Sequence, residues 1–424
     1  MAAPSTSVFV RSFSHCSLGT CRSVRSSTTR AISTASFACR TPKREQQPIR
    51  PRYLSPRHER TVCATPFRST SAHSYSTANN ALQPKDSGIA RLPHRRLISL
   101  RGSATVKLLQ GLITNDVRAE RSQSFYAAFL NSKGRVQWDV FVWVYPELLA
   151  EQGDWSCYIE VDESEVESLR KHLKIHNFRT KVRIEVVPED ELGVWAAWGP
   201  AFDRVNKQAV ETTLCDPRGD HTLWRILAKP DNNFIEDKSD ICDGRQYHLQ
   251  RYTQGIAEGP QEIQRDSTLP MDANMDISEG IDFKKGCYIG QELTIRTKHR
   301  GVVRKRILPV QLDVPGDHSS SVLGTNPMAD IKRLDETGAP VETGRPAGKL
   351  IACMGDVGIA LCRLEVMTPL KILGSEGAYR EGMEFGVNAD EGGHVVKVKP
   401  VLHQWSRDRE TIVWSKPKAI KREQ

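Results

Sequence analysis

The sequence predicts an α+β protein that ends in an all-β domain, and two patterns of apolar residues indicate this order. Between about residues 88 and 300, segments with strand alternation are interspersed with segments at helical spacing. From Gly301 onward the helical spacing disappears and only strand-like segments remain. We therefore expect α+β domains over residues 88–300 and a separate all-β domain over residues 301–415.

The α+β region contains a predicted hairpin followed by a strand, a helix and a second strand. In the hairpin, Val136, Trp138, Val140 and Val142 alternate with more polar neighbours after a short Asn-Ser-Lys-Gly loop. The later elements are indicated by Tyr158–Val161 for a strand, Val166, Leu169 and Leu173 for a helix, and Val182, Ile184 and Val186 for a strand. This succession favours α+β plaits over a doubly wound parallel sheet.

The C-terminal region is predicted to consist of strands and one surface insertion. Apolar runs mark strands at 302–312, 347–354, 357–366 and 394–402, with Gly355-Asp356 as a hairpin turn between the second and third. The stretch from 317 to 345 is long, polar and interrupted by Pro and Gly. We expect it to form a surface insertion.

The positive charge of the chain is concentrated at its N-terminus. The 424 residues carry a formal charge of +9, yet residues 1–80 alone contain 11 Arg, one Lys and only two acidic residues. Residues 1–44 contain no acidic residue and are rich in Ser and Thr, which is typical of a mitochondrial transit peptide. We therefore expect residues 1–75 to be a transit peptide and disordered leader, and the mature chain to lie in the matrix; a generic basic tail is the alternative. The remaining chain is nearly neutral, so its charge gives no indication of nucleic-acid binding.

Several classes of protein are excluded by what the sequence lacks. No stretch approaches the ~18 apolar residues that a membrane span needs. The ten cysteines are scattered without a CxxC pair, which argues against a disulfide scaffold and a structural zinc site. The nucleotide-binding patterns GxGxxG and GxxxxGK[ST] are also missing.

The densest chemical signal surrounds Cys287 in Lys285-Gly286-Cys287-Tyr288-Ile289-Gly290-Gln291-Glu292. Glycines on both sides allow the backbone to turn sharply. Lysines precede the cysteine, and arginine, lysine and histidine follow it within 13 residues. Nearby cations favour the thiolate, the form that binds metals and attacks electrophiles. A core cysteine normally lies in an apolar run, so Cys287 is the candidate functional thiol, either as an iron ligand or in redox or thiol chemistry.

This octapeptide resembles the KGCYxGQE signature of the YgfZ family, which is related to the glycine-cleavage T-protein, an aminomethyltransferase. Leu108–Asp116 resembles the early LQGxxTND element of the family, and Phe129–Arg135 resembles its Gly-containing hairpin. Further similar segments follow in family order at 216–218, 224–225, 255–274 and 344–349, so the resemblance covers roughly residues 88–415. Together with the leader, it indicates the mitochondrial branch, whose members assist late [4Fe–4S] cluster maturation.

The resemblance implies a fold and a cofactor. The fold is two interwoven ferredoxin-like plaits, the aminomethyltransferase folate-binding fold, followed by a C-terminal β-barrel. The expected cofactor is tetrahydrofolate in a central channel, and flat anionic ligands suit pockets with cationic and aromatic side chains. On this basis we assign folate binding to Asp139 and Arg251, with Trp138 as a further candidate wall. From the signature itself we add Lys285, Tyr288, Gln291 and Glu292.

One departure from the T-protein pattern bears on activity. T-proteins have two adjacent aspartates after the hairpin, whereas this chain has Trp138-Asp139. General acid–base catalysis needs a carboxylate at a defined reach, so the loss of one weakens the case for aminomethyl transfer. Asp139 either hydrogen-bonds a pterin or is simply an outward polar residue of a hairpin strand.

Three functions remain after these observations. The first is an assembly factor in which Cys287 is one ligand of a shared iron–sulfur cluster. Because such clusters take four protein ligands, the others must come from a partner, and the resemblance implies an A-type iron–sulfur carrier protein. It also suggests aconitase-type and radical-SAM enzymes as indirect clients. The second is a tetrahydrofolate-dependent one-carbon transferase, and the third is a non-catalytic folate sensor or scaffold.

Overall fold

The segments with alternating apolar residues form the strands of two antiparallel sheets and a barrel, and segments with helical spacing form several short helices. The computed structural model describes residues 83–144, 155–179, 181–231, 233–313, 328–372, 377–388 and 394–414. The predicted transit peptide and leader, residues 1–75, lie outside the described residues.

The first sheet has five strands and buries one face under two helices. Its strands are β2 (Arg95–Arg101), β3 (Phe125–Leu130), β4 (Val136–Val144), β5 (Cys157–Asp162) and β6 (Arg183–Val186), and the helices are α1 (Thr105–Gln110) and α2 (Val166–His176). The spatial order is β3-β4-β5-β2-β6, with every neighbouring pair antiparallel. Leu109, Leu169 and Leu173 of the helices are fully buried against this sheet. The predicted hairpin, helix and strands are thus confirmed.

The second sheet has four strands and includes the first strand of the described chain. Its strands are β1 (Gly88–Arg91), β7 (Gly193–Trp198), β8 (Thr212–Cys215) and β9 (Leu223–Ala228), in the order β1-β7-β9-β8. The chain therefore starts in this sheet, builds the whole first sheet, and then returns. This exchange is the interwoven α+β arrangement that the family resemblance predicted.

A closed barrel of six strands follows. Its strands are β10 (Lys305–Asp313), β11 (Ala329–Arg333), β12 (Gly348–Met354), β13 (Val357–Arg363), β14 (Phe385–Asn388) and β15 (Val395–Pro400), in the order β10-β13-β12-β11-β14-β15. Gly355 has a φ of 64° in the turn between β12 and β13, as the hairpin prediction requires. The predicted surface insertion at 317–345 is wrong for residues 329–333, because β11 is a barrel strand whose Ile331 is fully buried, whereas residues 335–345 form a largely exposed loop.

Five further helices connect or flank these sheets: α3 (Gly244–Gln254), α4 (Gly259–Glu262), α5 (Gln291–Arg300), α6 (Leu364–Met367) and α7 (Gln404–Trp414). The sequence did not predict α7, which has no buried residue. Its position is fixed by single contacts, such as the Trp414 indole that donates to Asp276 Oδ2 at 2.8 Å. Among the described residues, no helix is long and apolar enough to cross a bilayer.

Candidate functional site

The loop that carries Cys287 is held against the segment after α1 by hydrogen bonds at three points. The backbone N–H of Asp282 donates to Thr114 O, and that of Ile289 donates to Gly111 O, each at 3.1 Å. Between them, the Lys285 ammonium donates to the carbonyls of Ile113 at 2.7 Å and Asn115 at 2.8 Å. Two of the segments quoted for the family resemblance are therefore one structural unit.

The hairpin between β3 and β4 forms the third side of this unit. Gly290 ends the loop with a φ of 81°, directly before α5. A side chain at Gly290 would collide with the Asn131 carbonyl and with Leu130, and one at Gly134 would collide with Leu293 of α5. The hairpin and the start of α5 are thus packed backbone against backbone. Three distant sequence motifs converge on the loop and fix both of its ends.

Cys287 itself is exposed on this anchored loop. By contrast Cys157 and Cys362 are buried, and Cys215, Cys242 and Cys353 are partly buried. The described residues contain no group of three or more His, Cys, Asp or Glu side chains that could hold a metal ion. The described part of this chain therefore does not offer a complete set of ligands for a metal bound at Cys287.

The neighbouring lysines of Cys287 differ in their surroundings. Lys284 is exposed. The Lys285 ammonium is turned toward the carbonyls of the segment after α1, and burial lowers its pKa to about 8. Lys285 therefore stabilises the conformation of the loop, and its proposed contact with folate stays a prediction.

The remaining residues of the signature lie at the start of α5. Tyr288 is buried, and burial raises the pKa of its phenol to about 12. Gln291 Oε1 accepts from the Tyr288 N–H at 3.3 Å, so this side chain closes the turn into the helix. Glu292 is exposed in the first turn of α5, where the positive end of the helix dipole stabilises a carboxylate.

A second polar centre lies between the two sheets, and sequence analysis did not identify it. Glu160 of β5 accepts from Arg95 Nε at 2.8 Å and from the Trp143 indole at 3.0 Å, and it also pairs with Arg225 of β9. Because β5 and β9 belong to different sheets, this ion pair joins them across the interior. The members of this buried ion network are Arg95, Asp139, Glu160, Asp216, Arg218, Arg225 and Glu258.

Glu258 has several partners in the buried ion network. Its carboxylate accepts from Arg218 at 2.9 Å and from the Tyr247 hydroxyl at 2.8 Å, and it also pairs with Arg225. Burial alone would raise the pKa of this carboxyl, but the surrounding arginines hold it well below its usual range. Glu258 is therefore a fixed negative charge inside the protein.

Asp139 and Arg95 face each other with unmet hydrogen-bonding capacity. Asp139 is only 4% exposed, so its interpretation as an outward polar residue is wrong. Its Oδ1 accepts from the Gly259 N–H at 3.0 Å, while Oδ2 lies 3.6 Å from Arg95 NH1. Within the described part of the chain, that oxygen and both terminal nitrogens of Arg95 have no hydrogen-bond partner. Burial raises the pKa of the Asp139 carboxyl.

The other two predicted walls of the channel are engaged elsewhere. Arg251 forms a bidentate pair with Glu262, at 2.7 and 3.0 Å, so its charge is already balanced. Trp138 points to the opposite face of β4 from Asp139, as strand alternation requires, and its indole donates to Glu165 Oε2 at 2.7 Å.

The buried ion network left a signal in the sequence. Glu160 lies between the apolar residues Ile159 and Val161 of one strand, and Arg225 lies between Trp224 and Ile226 in another. Charged residues are almost never fully buried unless they are paired, so a charge in an apolar strand indicates a buried partner. Asp216, Arg218 and Glu258 fall in segments that resemble the family, but no role had been assigned to them.

Comparison with known proteins first defines the class of fold. The structure matches the aminomethyltransferase T of the glycine cleavage system from Bartonella henselae with a TM-score of 0.52 at 12% identity, covering 76% of this chain and 86% of that one. The fold is therefore of the aminomethyltransferase type. The family model described as the CAF17 C-terminal β-barrel domain matches residues 304–407.

Sequence relatives then identify the family. The chain is 47% identical to the mitochondrial iron–sulfur cluster assembly factor IBA57 homologue of Phaeosphaeria nodorum, over 83% of this chain and 88% of the relative. It is 40% identical to the protein of the same name from Coccidioides immitis, over 83% and 89%. The protein of that name from Neurospora crassa is 36% identical, over 82% and 87%. This chain belongs to the IBA57 family of iron–sulfur cluster assembly factors.

Proposed function

We propose that this protein acts in the mitochondrial matrix as an assembly factor for late [4Fe–4S] cluster maturation. The observation that carries the proposal is the thiol of Cys287, the one exposed cysteine among the described residues, on a loop anchored at both ends. The relatives that define the family are named mitochondrial iron–sulfur cluster assembly factors, which supports the same role here. The cluster is cargo in this account, and Cys287 supplies one of its ligands.

The ligand count makes a partner necessary. An iron–sulfur cluster takes four protein ligands, usually thiolates, and the described residues contain no group of three or more side chains that could hold a metal ion around Cys287 or elsewhere. We propose that an A-type iron–sulfur carrier protein provides the others, and that aconitase-type and radical-SAM enzymes receive the product indirectly. An exposed, preformed loop suits this purpose, because little conformational entropy is lost when the partner binds.

The test is assembly of the shared complex from purified components. The protein is mixed with an A-type carrier holding a reconstituted cluster, and size exclusion is followed by visible absorption and circular dichroism. We expect a heterocomplex with a cluster chromophore for wild type and for Cys215→Ser, and none for Cys287→Ser. A complex whose chromophore survives in Cys287→Ser would refute the ligand role.

The leader is part of the proposal. We propose that residues 1 to about 75 are removed on import, as the acid-free, arginine-rich composition suggests. N-terminal sequencing of the protein from isolated mitochondria checks this. Recovery of a terminus at Met1 or Ala2 would contradict it.

Tetrahydrofolate is the proposed cofactor, and the site that fits it best is the Arg95–Asp139 pair. Buried donors and acceptors without partners are costly, and a ligand with both a donor and an acceptor group beside this pair would satisfy them. A pterin carries amide and amine groups of this kind. Equilibrium dialysis with tetrahydrofolate should show binding to wild type and weaker binding to Asp139→Ala. Equal binding by both proteins would remove Asp139 from the site.

A folate-dependent one-carbon transferase is the second candidate, and the aminomethyltransferase-type fold favours it. Asp139 would be its acid–base group, since burial raises the pKa of this carboxyl and lets it hold a proton. Purified protein with tetrahydrofolate and an aminomethyl donor either forms methylene-tetrahydrofolate or does not. Turnover that survives Cys287→Ser and is lost in Asp139→Asn would favour this candidate over the assembly factor.

A further inference from the structure

The end of α2 and the turn that leads to β6 form a basic surface, residues 170–183, which we call the basic tip. These 14 residues contain six cationic side chains and no acidic one: Arg170, Lys171, Lys174, Arg179, Lys181 and Arg183. The chain from residue 81 onward carries 48 Lys and Arg against 49 Asp and Glu. The basic tip is therefore a local concentration of positive charge in a nearly neutral region.

Two large apolar side chains project from the same surface. The side chain of Phe178 is 89% exposed and that of Ile175 is 64% exposed. Among the large apolar residues that the structure describes, only Ile412 of α7 is exposed to a similar extent. The opposite side of α2 is firmly packed, because Leu169 and Leu173 are fully buried under the first sheet. The packed side of α2 thus holds the helix in place, while Ile175 and Phe178 project from the basic tip.

Most cations of the basic tip have no counterion. Arg170 pairs with Glu167, and Arg183 pairs with Glu185 at 2.9 Å. The other four, Lys171, Lys174, Arg179 and Lys181, make no ion pair within the described part of the chain. Arg101 of β2 is the cross-strand partner of Arg183 at the edge of the sheet, which adds a further positive charge beside the tip. Like charges placed opposite each other are unfavourable unless anions lie nearby.

We propose that the basic tip binds the surface of an anionic phospholipid bilayer. Peripheral membrane-binding elements combine Lys and Arg, which attract anionic headgroups, with a few apolar side chains that enter the boundary with the acyl chains. Here Phe178 and Ile175 would enter this boundary, while the lysines remain at the headgroups. A docked protein fits less well, because the centres of protein interfaces are depleted in Lys. Nucleic acid fits less well too, since an exposed Ile has no stacking role there.

The experiment uses protein purified from isolated mitochondria, in the form in which it exists there. Co-sedimentation is measured with vesicles of phosphatidylcholine alone and with vesicles of equal parts phosphatidylcholine and phosphatidylglycerol. We expect binding only to the anionic vesicles. Lys174→Gln/Lys181→Gln should weaken it about tenfold or more, and Phe178→Ala about tenfold.

Matched variants separate the tip from general charge and from misfolding. Lys107→Gln/Lys399→Gln removes the same charge from exposed positions elsewhere, and should bind as wild type does. Unchanged thermal unfolding of Phe178→Ala, expected for so exposed a residue, excludes loss of the fold. The proposal is overturned if the two double variants bind equally, if Phe178→Ala binds as wild type does, or if the protein binds a short RNA but not anionic vesicles.

Discussion

The Cα atom of Gly134 lies 3.3 Å from the position that a Cβ atom on Gly290 would occupy. These glycines belong to two motifs more than 150 residues apart, the β3–β4 hairpin and the Cys287 loop. Backbones can approach this closely only where neither residue has a side chain. The Cys287 loop is consequently held in place by contact between its backbone and that of the hairpin, and its conformation depends on Gly290.

We predict that Gly290→Ala destabilises the protein by about 2–4 kcal/mol, because it adds a left-handed backbone penalty to a collision with the hairpin. Gly286→Ala is the matched control, since no heavy atom beyond its two chain neighbours lies within 4 Å of its Cβ position. It should change the free energy of unfolding by no more than about 0.5 kcal/mol. Urea unfolding of both variants tests this, and equal effects would show that the loop is not seated by Gly290.

Lys285 should matter for the stability of the loop. Lys285→Met removes both donors to the Ile113 and Asn115 carbonyls, which we expect to cost about 1–3 kcal/mol. Lys284→Met changes the same residue type at an exposed neighbour and should stay within about 0.5 kcal/mol. Chemical denaturation compares the two. If Lys284→Met is the more damaging change, the structural role given to Lys285 is wrong.

His248 should make stability depend on pH in the acid range. Burial and the charge of Arg251 lower the pKa of His248 from 6.5 to about 4. Between these values the unfolded chain binds the proton and the folded chain does not, so the free energy of unfolding falls as the pH falls from 6.5 toward 4. Relative to His248→Gln, wild type should lose up to about 3 kcal/mol over this window. Parallel stability curves for the two proteins would contradict the assignment.

Sequence patterns predicted the order of elements and singled out the Cys287 loop, because alternation, helical spacing and a short signature are local properties. They did not predict the buried ion network, since nothing near Glu160 indicates that its partner is Arg225 in another sheet. The same limit explains α7, whose contacts to Asp276 and Lys298 are single and distant in sequence. It also explains β11, where only barrel closure shows that a polar stretch contains a strand.

The predicted surroundings of Cys287 illustrate a related limit. Sequence proximity suggested that Lys285 would act on the thiol, but its ammonium donates to two carbonyls of the segment after α1. Residues that are neighbours in the sequence can therefore differ in what their side chains contact. In the same way Trp138 and Asp139 were assigned together, and strand alternation separates them onto opposite faces of β4.

We propose that the Cys287 thiol carries the function, and replacing this residue by serine isolates the contribution of the thiol. Serine keeps the size of the side chain but removes the soft sulfur ligand, so the exposed site should fold normally. The measurement is rescue of mitochondrial [4Fe–4S] enzyme activity in cells that lack the endogenous protein, with Cys215→Ser, Cys242→Ser and Cys353→Ser as controls. We predict that the three controls rescue as wild type does and that Cys287→Ser, present at the same level, does not. Full rescue by Cys287→Ser would contradict the account and move the function to the Arg95–Asp139 site.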